Sequence, residues 1–326
     1  MKRFLVIQTA FIGDVILATS VVEKLKEFYP ASKIDFLLRK GNEGLLKDHP
    51  KINRVFILNK QKQKYRNVLK IIRLLRKQKY DYVFNLQRFF TTGLITLLIK
   101  GKVKAGFRKN PLSVFYNWKF RHEPGNGEHE ITRNQQMIFS LTDDGFVRPG
   151  LYPSDDDYQK VKGYKREKYV CIAPTSVWYT KQFPSNKWIE LINRFSKDVA
   201  VILIGGPGDQ GACEDILKAS DHSEIINLAG HLSFLQTAAL MEEALMNYVN
   251  DSAPLHIASA MNASVTAVFC STIPEFGFYP VSDESYVVQT ETKLYCRPCG
   301  LHGYKSCPEG HFLCAKSIST DKFKIY

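Results

Sequence analysis

The chain has 326 residues, 44% apolar and 24% charged, which at roughly 100–200 residues per domain points to two domains and excludes disordered, collagen-like and disulfide-scaffold classes. No run reaches the ~18 consecutive apolar residues of a bilayer span, the densest being residues 91–99. The net charge of +13 is confined to one half: residues 1–150 hold 29 Lys and Arg against 12 Asp and Glu, net +17, whereas residues 151–326 hold 16 against 20, net −4. Such asymmetry favours an acidic partner, whether nucleic acid, an anionic lipid surface or a phosphorylated substrate.

Met1 to Ile7 opens with basic then apolar residues, but Gln8 and Asp14 interrupt the apolar region early, so Arg3–Gln8 reads as a buried first strand and not as a signal peptide. Strand-like runs follow at Ile34–Leu38, Arg54–Leu58, Tyr82–Leu86 and Val103–Phe107, with amphipathic stretches such as Val15–Phe28 and Val68–Gln78 between them. This alternation predicts a βα-wound parallel sheet. Residues 148–168 lose periodicity, collect Pro149, Gly150, Pro153 and Gly163, and read as a linker. The alternation then restarts: strand Tyr169–Ala173, helix Asn186–Phe195, strand Val199–Ile204, a helix through Glu214–Ala219, strand Ile225–Leu228, and a helix opened by the capping-box spacing Ser233 to Gln236. Strand Tyr248–Asn250, a helix with Pro254 in its first turn and strand Val265–Phe269 close the pattern. The expected fold class is α/β, with two doubly wound Rossmann-like domains and ligands held beyond the carboxyl ends of the strands.

Four segments at such strand ends carry candidate chemistry. Gln8–Asp14 leads from the first strand into the first helix, where Asp14 is either a helix cap or a functional carboxylate. Pro174 to Lys181 offers the hydroxyls of Thr175 and Ser176 and the point charge of Lys181, a set suited to a diphosphate. Gly206 to Gly211 matches G-x-G-x-x-G after a strand, but on the second strand of its domain, stiffened by Pro207 and with Asn227 where an acid is expected. Asn250 to His256 ends a strand and opens a helix, so Asp251 and Ser252 either cap it or contact a ligand. The convergence of the last three on one rim predicts a nucleotide-diphosphate site.

The order Phe11 to Val15, Asn85-Leu86-Gln87, Ala105-Gly106-Phe107, Pro174 through Lys181 to Trp188, Gly205 to Asp209, Asn227 to Gly230 and Asn250 to Ala258 resembles glycosyltransferase family 9, the heptosyltransferases of lipopolysaccharide core assembly. The resemblance implies the GT-B architecture, two Rossmann-like domains facing a cleft. It also implies inverting, metal-independent transfer of a heptose from an ADP-sugar to a phosphorylated lipid A or core oligosaccharide acceptor, with no cofactor. Asp14 matches the general base. Thr175, Ser176, Lys181, Gly206, Asp209, Asp251, Ser252 and His256 match sugar-donor contacts. Departures occur at Asp209-Gln210, where glutamate is common, and at Ser252-Ala253, where Thr-Gly is common. Arg88, Arg108 and Lys109, on loops after strands, are expected acceptor-phosphate contacts.

The expected domains are 1–160 for the acceptor, 161–308 for the nucleotide sugar, and 309–326 as a C-terminal helix returning to the first domain. The expected location is cytoplasmic, at the cytoplasmic face of the inner membrane, in peripheral contact with anionic lipid and without nucleic acid as partner. Seven cysteines, four of them crowded at Cys296, Cys299, Cys307 and Cys314, fit a reducing compartment. That cluster stays open between structural zinc and an inert thiol patch. Two other classes stay in view: a nucleic-acid-binding protein resting on the +17 half, which lacks a recognisable binding motif, and a dinucleotide-dependent oxidoreductase resting on Gly206–Gly211.

Overall fold

The computed structural model describes residues 1–61 and 63–326, which divide into two compact units: residues 1–123 with 128–152, and residues 124–127 with 153–326. In the first, β1 (Arg3–Ile7) leads to α1 (Ile12–Phe28), then β2 (Lys33–Arg39), β3 (Arg54–Leu58), α2 (Lys64–Arg76), β4 (Tyr80–Asn85), α3 (Phe90–Leu98), β5 (Gly101–Phe107), the short β6 (Trp118–Phe120) and α4 (Glu130–Gln135). In the second come α5 (Asp155–Lys162), β7 (Tyr169–Ala173), α6 (Ser185–Ile192), β8 (Ala200–Leu203), α7 (Gln210–Ala219), β9 (Ile225–Asn227), α8 (Phe234–Glu242), β10 (Met246–Asn250), α9 (Ala253–Met261), β11 (Val265–Phe269), β12 (Ser285–Gln289) and the four-residue α10 (Leu313–Lys316).

Both sheets are six-stranded, with orders β3-β2-β1-β4-β5-β6 and β12-β11-β10-β7-β8-β9, and every pairing is parallel. Parallel sheets covered on both faces demand continuous apolar strands instead of alternating ones. The central strands meet that demand: β7, β10 and β11 are buried at every residue, and β1 at all but its first. In each sheet the chain starts at a central strand, winds one way, returns and winds the other. The strand order therefore reverses between β1 and β4 and again between β7 and β10, leaving a crevice at the carboxyl ends of each pair.

Three sequence expectations are corrected. Residues 148–168 are not a plain linker: Asp155–Lys162 is a helix, because Ser154 Oγ accepts from Asp157 N (3.3 Å) and the three aspartates suit a positive helix start. That helix packs on α8, which moves the unit boundary from 160/161 to 152/153. The third correction is the tail. Residues 309–326 belong to the second unit, where Phe323 is buried with ring centroids 5.6 Å from Phe183, 6.3 Å from Trp188 and 6.0 Å from Tyr248. The aromatic slot of its own domain takes that segment, and it forms a single short helix.

Candidate active site

At the first crevice, Asp14 is the third residue of α1 and half-buried, with Oδ2 accepting from Phe11 N (3.2 Å). Burial raises its pKa to about 6, and the negative charge of Glu130 adds to the rise, against the opposing pull of backbone N–H groups and Arg39. Glu130 stays charged where it is buried. Desolvation alone would push it up, but His122 Nε2 at 3.0 Å from both carboxylate oxygens and Arg133 Nε at 2.9 Å outweigh that and hold it below its ordinary value. On the segment between β1 and α1, Thr9 accepts from Lys60 Nζ at its O (2.8 Å) and Oγ1 (2.9 Å), and burial, Arg39 and Lys64 lower the pKa of Lys60 to about 8. Gln8 and Gln87, from the two sides of the reversal, join side chain to side chain. Arg88, Arg108 and Lys109 lie exposed on the loops after β4 and β5, Arg88 over the Phe89 ring at 5.4 Å.

At the second crevice the loop after β7 is tied to the one after β10. Asn250 Nδ2 donates to Ala173 O (3.2 Å) and Thr175 O (3.3 Å), and Asn250 Oδ1 accepts from Phe183 N (2.8 Å). Lys181 Nζ then meets Asp251 Oδ2 at 2.7 Å, both side chains largely buried, and Thr272 Oγ1 donates to the same oxygen at 2.6 Å. Ser252 caps α9 in position without a side-chain capping bond, and its hydroxyl lies 3.4 Å from Asn250 O. Thr175, Ser176, Lys181, Asp251 and Ser252 thus share one pair of adjacent strand ends. His256 lies one turn inside α9, buried, its ring 6.2 Å from that of Phe278.

Gly206 and Asp209 stand at the end of β8, next to β7 in the sheet. Asp209 Oδ2 folds back onto Gly206 N at 2.7 Å, and Gly230, at φ +79°, lies so close that a Cβ there would sit 2.9 Å from Pro207 Cα. Gly230 therefore serves a tight turn-to-turn contact, whereas a Cβ at Gly206 would meet only Asp209 Oδ2 at 3.5 Å and one at Gly208 or Gly211 would meet open space. Asn227 Nδ2 is occupied with Gln210 O and Glu214 Oε2, so the dinucleotide reading gains no ribose-binding acid here.

The cysteine segment braces this crevice from behind. Arg297 donates to Cys270 O and Thr272 O (2.8 Å each) and to Gln289 Oε1 (2.7 Å), while Tyr304 N donates to Thr180 Oγ1 (2.8 Å) and Thr180 N to Tyr304 O (3.1 Å). Cys296 Sγ lies 3.9 Å from His311 Nε2, and among the described residues no group of three or more His, Cys, Asp or Glu is arranged to hold a metal ion. The sequence reading missed Arg39, Lys60, Glu130, Thr272 and Arg297. Arg39 ends β2 and Lys60 follows β3, a strand-end signal that could have been used; the other three are joined to the site only by the fold.

Comparison with known proteins agrees with this geometry. Residues 68–304 match the model of glycosyltransferase family 9 (heptosyltransferase). Lipopolysaccharide heptosyltransferase 3 of Escherichia coli K12 is 31% identical over 281 residues, covering 80% of each chain. Among solved structures, ADP-heptose lps heptosyltransferase II of E. coli superposes with a TM-score of 0.81 at 21% identity, over 99% of this chain and 96% of that one. The E. coli heptosyltransferase WaaC with ADP gives a TM-score of 0.71 at 19% identity, over 88% and 93%.

Proposed function

The chain belongs to glycosyltransferase family 9, and from that premise we propose that it transfers a heptose from ADP-heptose, with inversion, to a phosphorylated lipid A or core oligosaccharide acceptor at the cytoplasmic face of the inner membrane. The observation that carries the reading is the division of chemistry between two strand-order reversals. One holds a carboxylate whose pKa is raised to about 6, and the other a buried lysine beside hydroxyls and a helix start.

In this mechanism Asp14 takes the proton of the acceptor hydroxyl as its oxygen attacks the anomeric carbon. The bond from that carbon to the diphosphate oxygen breaks, and ADP leaves on the opposite face. A carboxylate titrating near 6 is ionised at neutral pH yet far more basic than a solvated aspartate, which suits a general base. The diphosphate gathers negative charge as it leaves. Lys181, the hydroxyls of Thr175, Ser176 and Ser252, and the α9 start are the groups assigned to stabilise it. Asp251 is assigned to the heptose hydroxyls, with Gly206 and Asp209 at the nucleoside end and His256 supporting the α9 start. The cations of the first domain, Arg88, Arg108 and Lys109 with Arg39 and Lys60, are assigned to the acceptor's anionic groups.

The test is transfer from ADP-heptose to a heptose-deficient lipopolysaccharide acceptor, followed by mass spectrometry and by the anomeric configuration of the product. Mass gain of one heptose with inversion is expected; hydrolysis without transfer, or retention, would overturn the reading.

A further inference from the structure

Helix α2 carries positive charge that nothing around it answers. No acidic residue occurs between Asn59 and Tyr80, while Lys64, Arg66, Lys70, Arg73 and Arg76 stand on the helix. Its buried stripe, Val68, Ile71, Ile72 and Leu75, fills the core beneath the sheet together with Ile95 and Ile99 from the α3 side. Among the described residues none of those five cations has a carboxylate partner, and Arg66 reaches only Gln63 Oε1 (3.3 Å). Several cations of the second domain do have such partners: Lys168 pairs with Asp198 (2.7 Å), Lys187 with Glu190 (3.2 Å) and Lys322 with Glu291 (2.7 Å). Like charges crowded along one helix repel one another unless an anionic surface meets them.

The same face is also apolar in an unusual way. Tyr65 is 83% and Leu69 52% exposed, one helical turn apart among the cations. Helix α3 packs beside α2, contains no charged residue, and leaves Phe90 56% and Leu98 43% exposed. Single exposed apolar residues are normal on a soluble surface. Several of them spread over two adjacent helices, interleaved with unpaired Lys and Arg, form the pattern of a face that lies in a lipid headgroup layer. A nucleic acid would use the cations but gain little from Leu69 and Leu98, because its interfaces are polar and wet.

We propose that the joint outer face of α2 and α3 docks this chain on an anionic phospholipid bilayer. The cations meet lipid phosphates while Tyr65, Leu69 and Phe90 enter the headgroup boundary. The inference rests on the proposed function, to which it adds the plane in which a lipid-borne acceptor is met.

The test is co-sedimentation of the full chain with vesicles of phosphatidylethanolamine and phosphatidylglycerol, against vesicles of phosphatidylcholine alone. Binding to the anionic vesicles, weakening as salt is raised, is expected. The variant Arg66→Gln, Lys70→Gln, Arg73→Gln, Arg76→Gln keeps good helix formers and should bind them at least ~10²-fold more weakly. Its turnover with ADP-heptose and an O-deacylated, water-soluble acceptor should equal that of the parent. Leu69→Gln with Phe90→Ser provides a second, charge-preserving variant that should also lose vesicle binding. Equal binding to both vesicle types, undiminished binding by both variants, or tighter binding to duplex RNA than to vesicles would each overturn the docking surface. Inactivity of the parent on the soluble acceptor would instead overturn the proposed function, since vesicle binding is read independently of turnover.

Discussion

Thr272 Oγ1 donates at 2.6 Å to Asp251 Oδ2, the same carboxylate oxygen that Lys181 Nζ approaches at 2.7 Å. One buried oxygen therefore holds two donors, and Arg297, by fixing the Thr272 carbonyl at 2.8 Å, sets where the hydroxyl comes from. Removing the hydroxyl leaves Lys181 as the sole partner of that oxygen and frees the carboxylate to rotate. A hydrogen bond to a charged group contributes about 1.5–3 kcal/mol. Thr272→Val should accordingly raise the Michaelis constant for ADP-heptose or lower kcat by about 10–100-fold, whereas Thr272→Ser should stay near the parent. Steady-state kinetics on the three proteins checks this, and loss in the Ser variant with the Val variant near the parent would point to packing of the methyl group instead.

Lys181 and Asp251 lend themselves to a paired experiment. Lys181→Ala removes the cation assigned to the diphosphate but also strands a buried carboxylate, a defect that commonly costs about 3–5 kcal/mol. The single variant should thus lose both ADP affinity and thermal stability. The double variant Lys181→Met, Asp251→Asn should regain most of the melting temperature without regaining ADP affinity. Calorimetric titration of ADP, together with thermal melts, separates the two effects; recovery of ADP binding in the double variant would remove Lys181 from the phosphate site.

Turnover is expected to survive EDTA, because Lys181 and the α9 start supply the positive charge that a divalent cation otherwise brings to a leaving diphosphate. Circular dichroism of the same sample would show whether the cysteine segment keeps its fold. Loss of turnover with the fold intact, restored by magnesium, would contradict the expectation.

The fold was largely legible because its strands are continuous apolar runs with polar strand ends, and β7 or β11 can hardly be anything else in this alternation. The placement of Thr175, Ser176, Asp251 and Ser252 was legible because they lie within three residues of the ends of β7 and β10, and that of Asp14 and Lys181 because the segments leaving β1 and β7 carry them. Glu130 was not, since its proximity to Asp14 depends on α4 packing against α1 more than a hundred residues away in sequence. Thr272 and Arg297 were hidden in the same way: they act through a carboxylate and a carbonyl contributed by other loops. The tail and α5 were misread because local composition, a Pro-Gly-Asp stretch and a terminal segment, was given more weight than a capping serine and a single phenylalanine with an aromatic slot to fill.

Asp14 gives the most discriminating prediction, because its two readings differ in sign on stability. As a cap it would accept from Phe11 N and stabilise α1; as a base tuned by burial and Glu130 it titrates at about 6, above the 3.8 of an ordinary aspartate. A carboxyl whose folded pKa is raised binds more protons folded than unfolded, so folding is favoured below about 4 and that contribution is lost as pH rises through 6. Asp14→Asn can still accept from Phe11 N but carries no charge to desolvate. It should therefore melt higher than the parent at pH 7–8, by an amount worth about 1–3 kcal/mol, with the difference vanishing near pH 4. Turnover should fall about 10²–10⁴-fold at the same time. In the parent, kcat/KM should decline below about pH 6 as Asp14 takes up a proton. Glu130→Gln removes a neighbouring negative charge, so Asp14 becomes a stronger acid and the limb should move to lower pH, with ADP affinity unchanged. A variant Asp14→Asn that is both less stable at neutral pH and nearly as active as the parent would identify Asp14 as a cap. Higher stability with lost turnover identifies it as the base, since a group that costs folding energy in its charged form is kept for what that charge does to the acceptor hydroxyl.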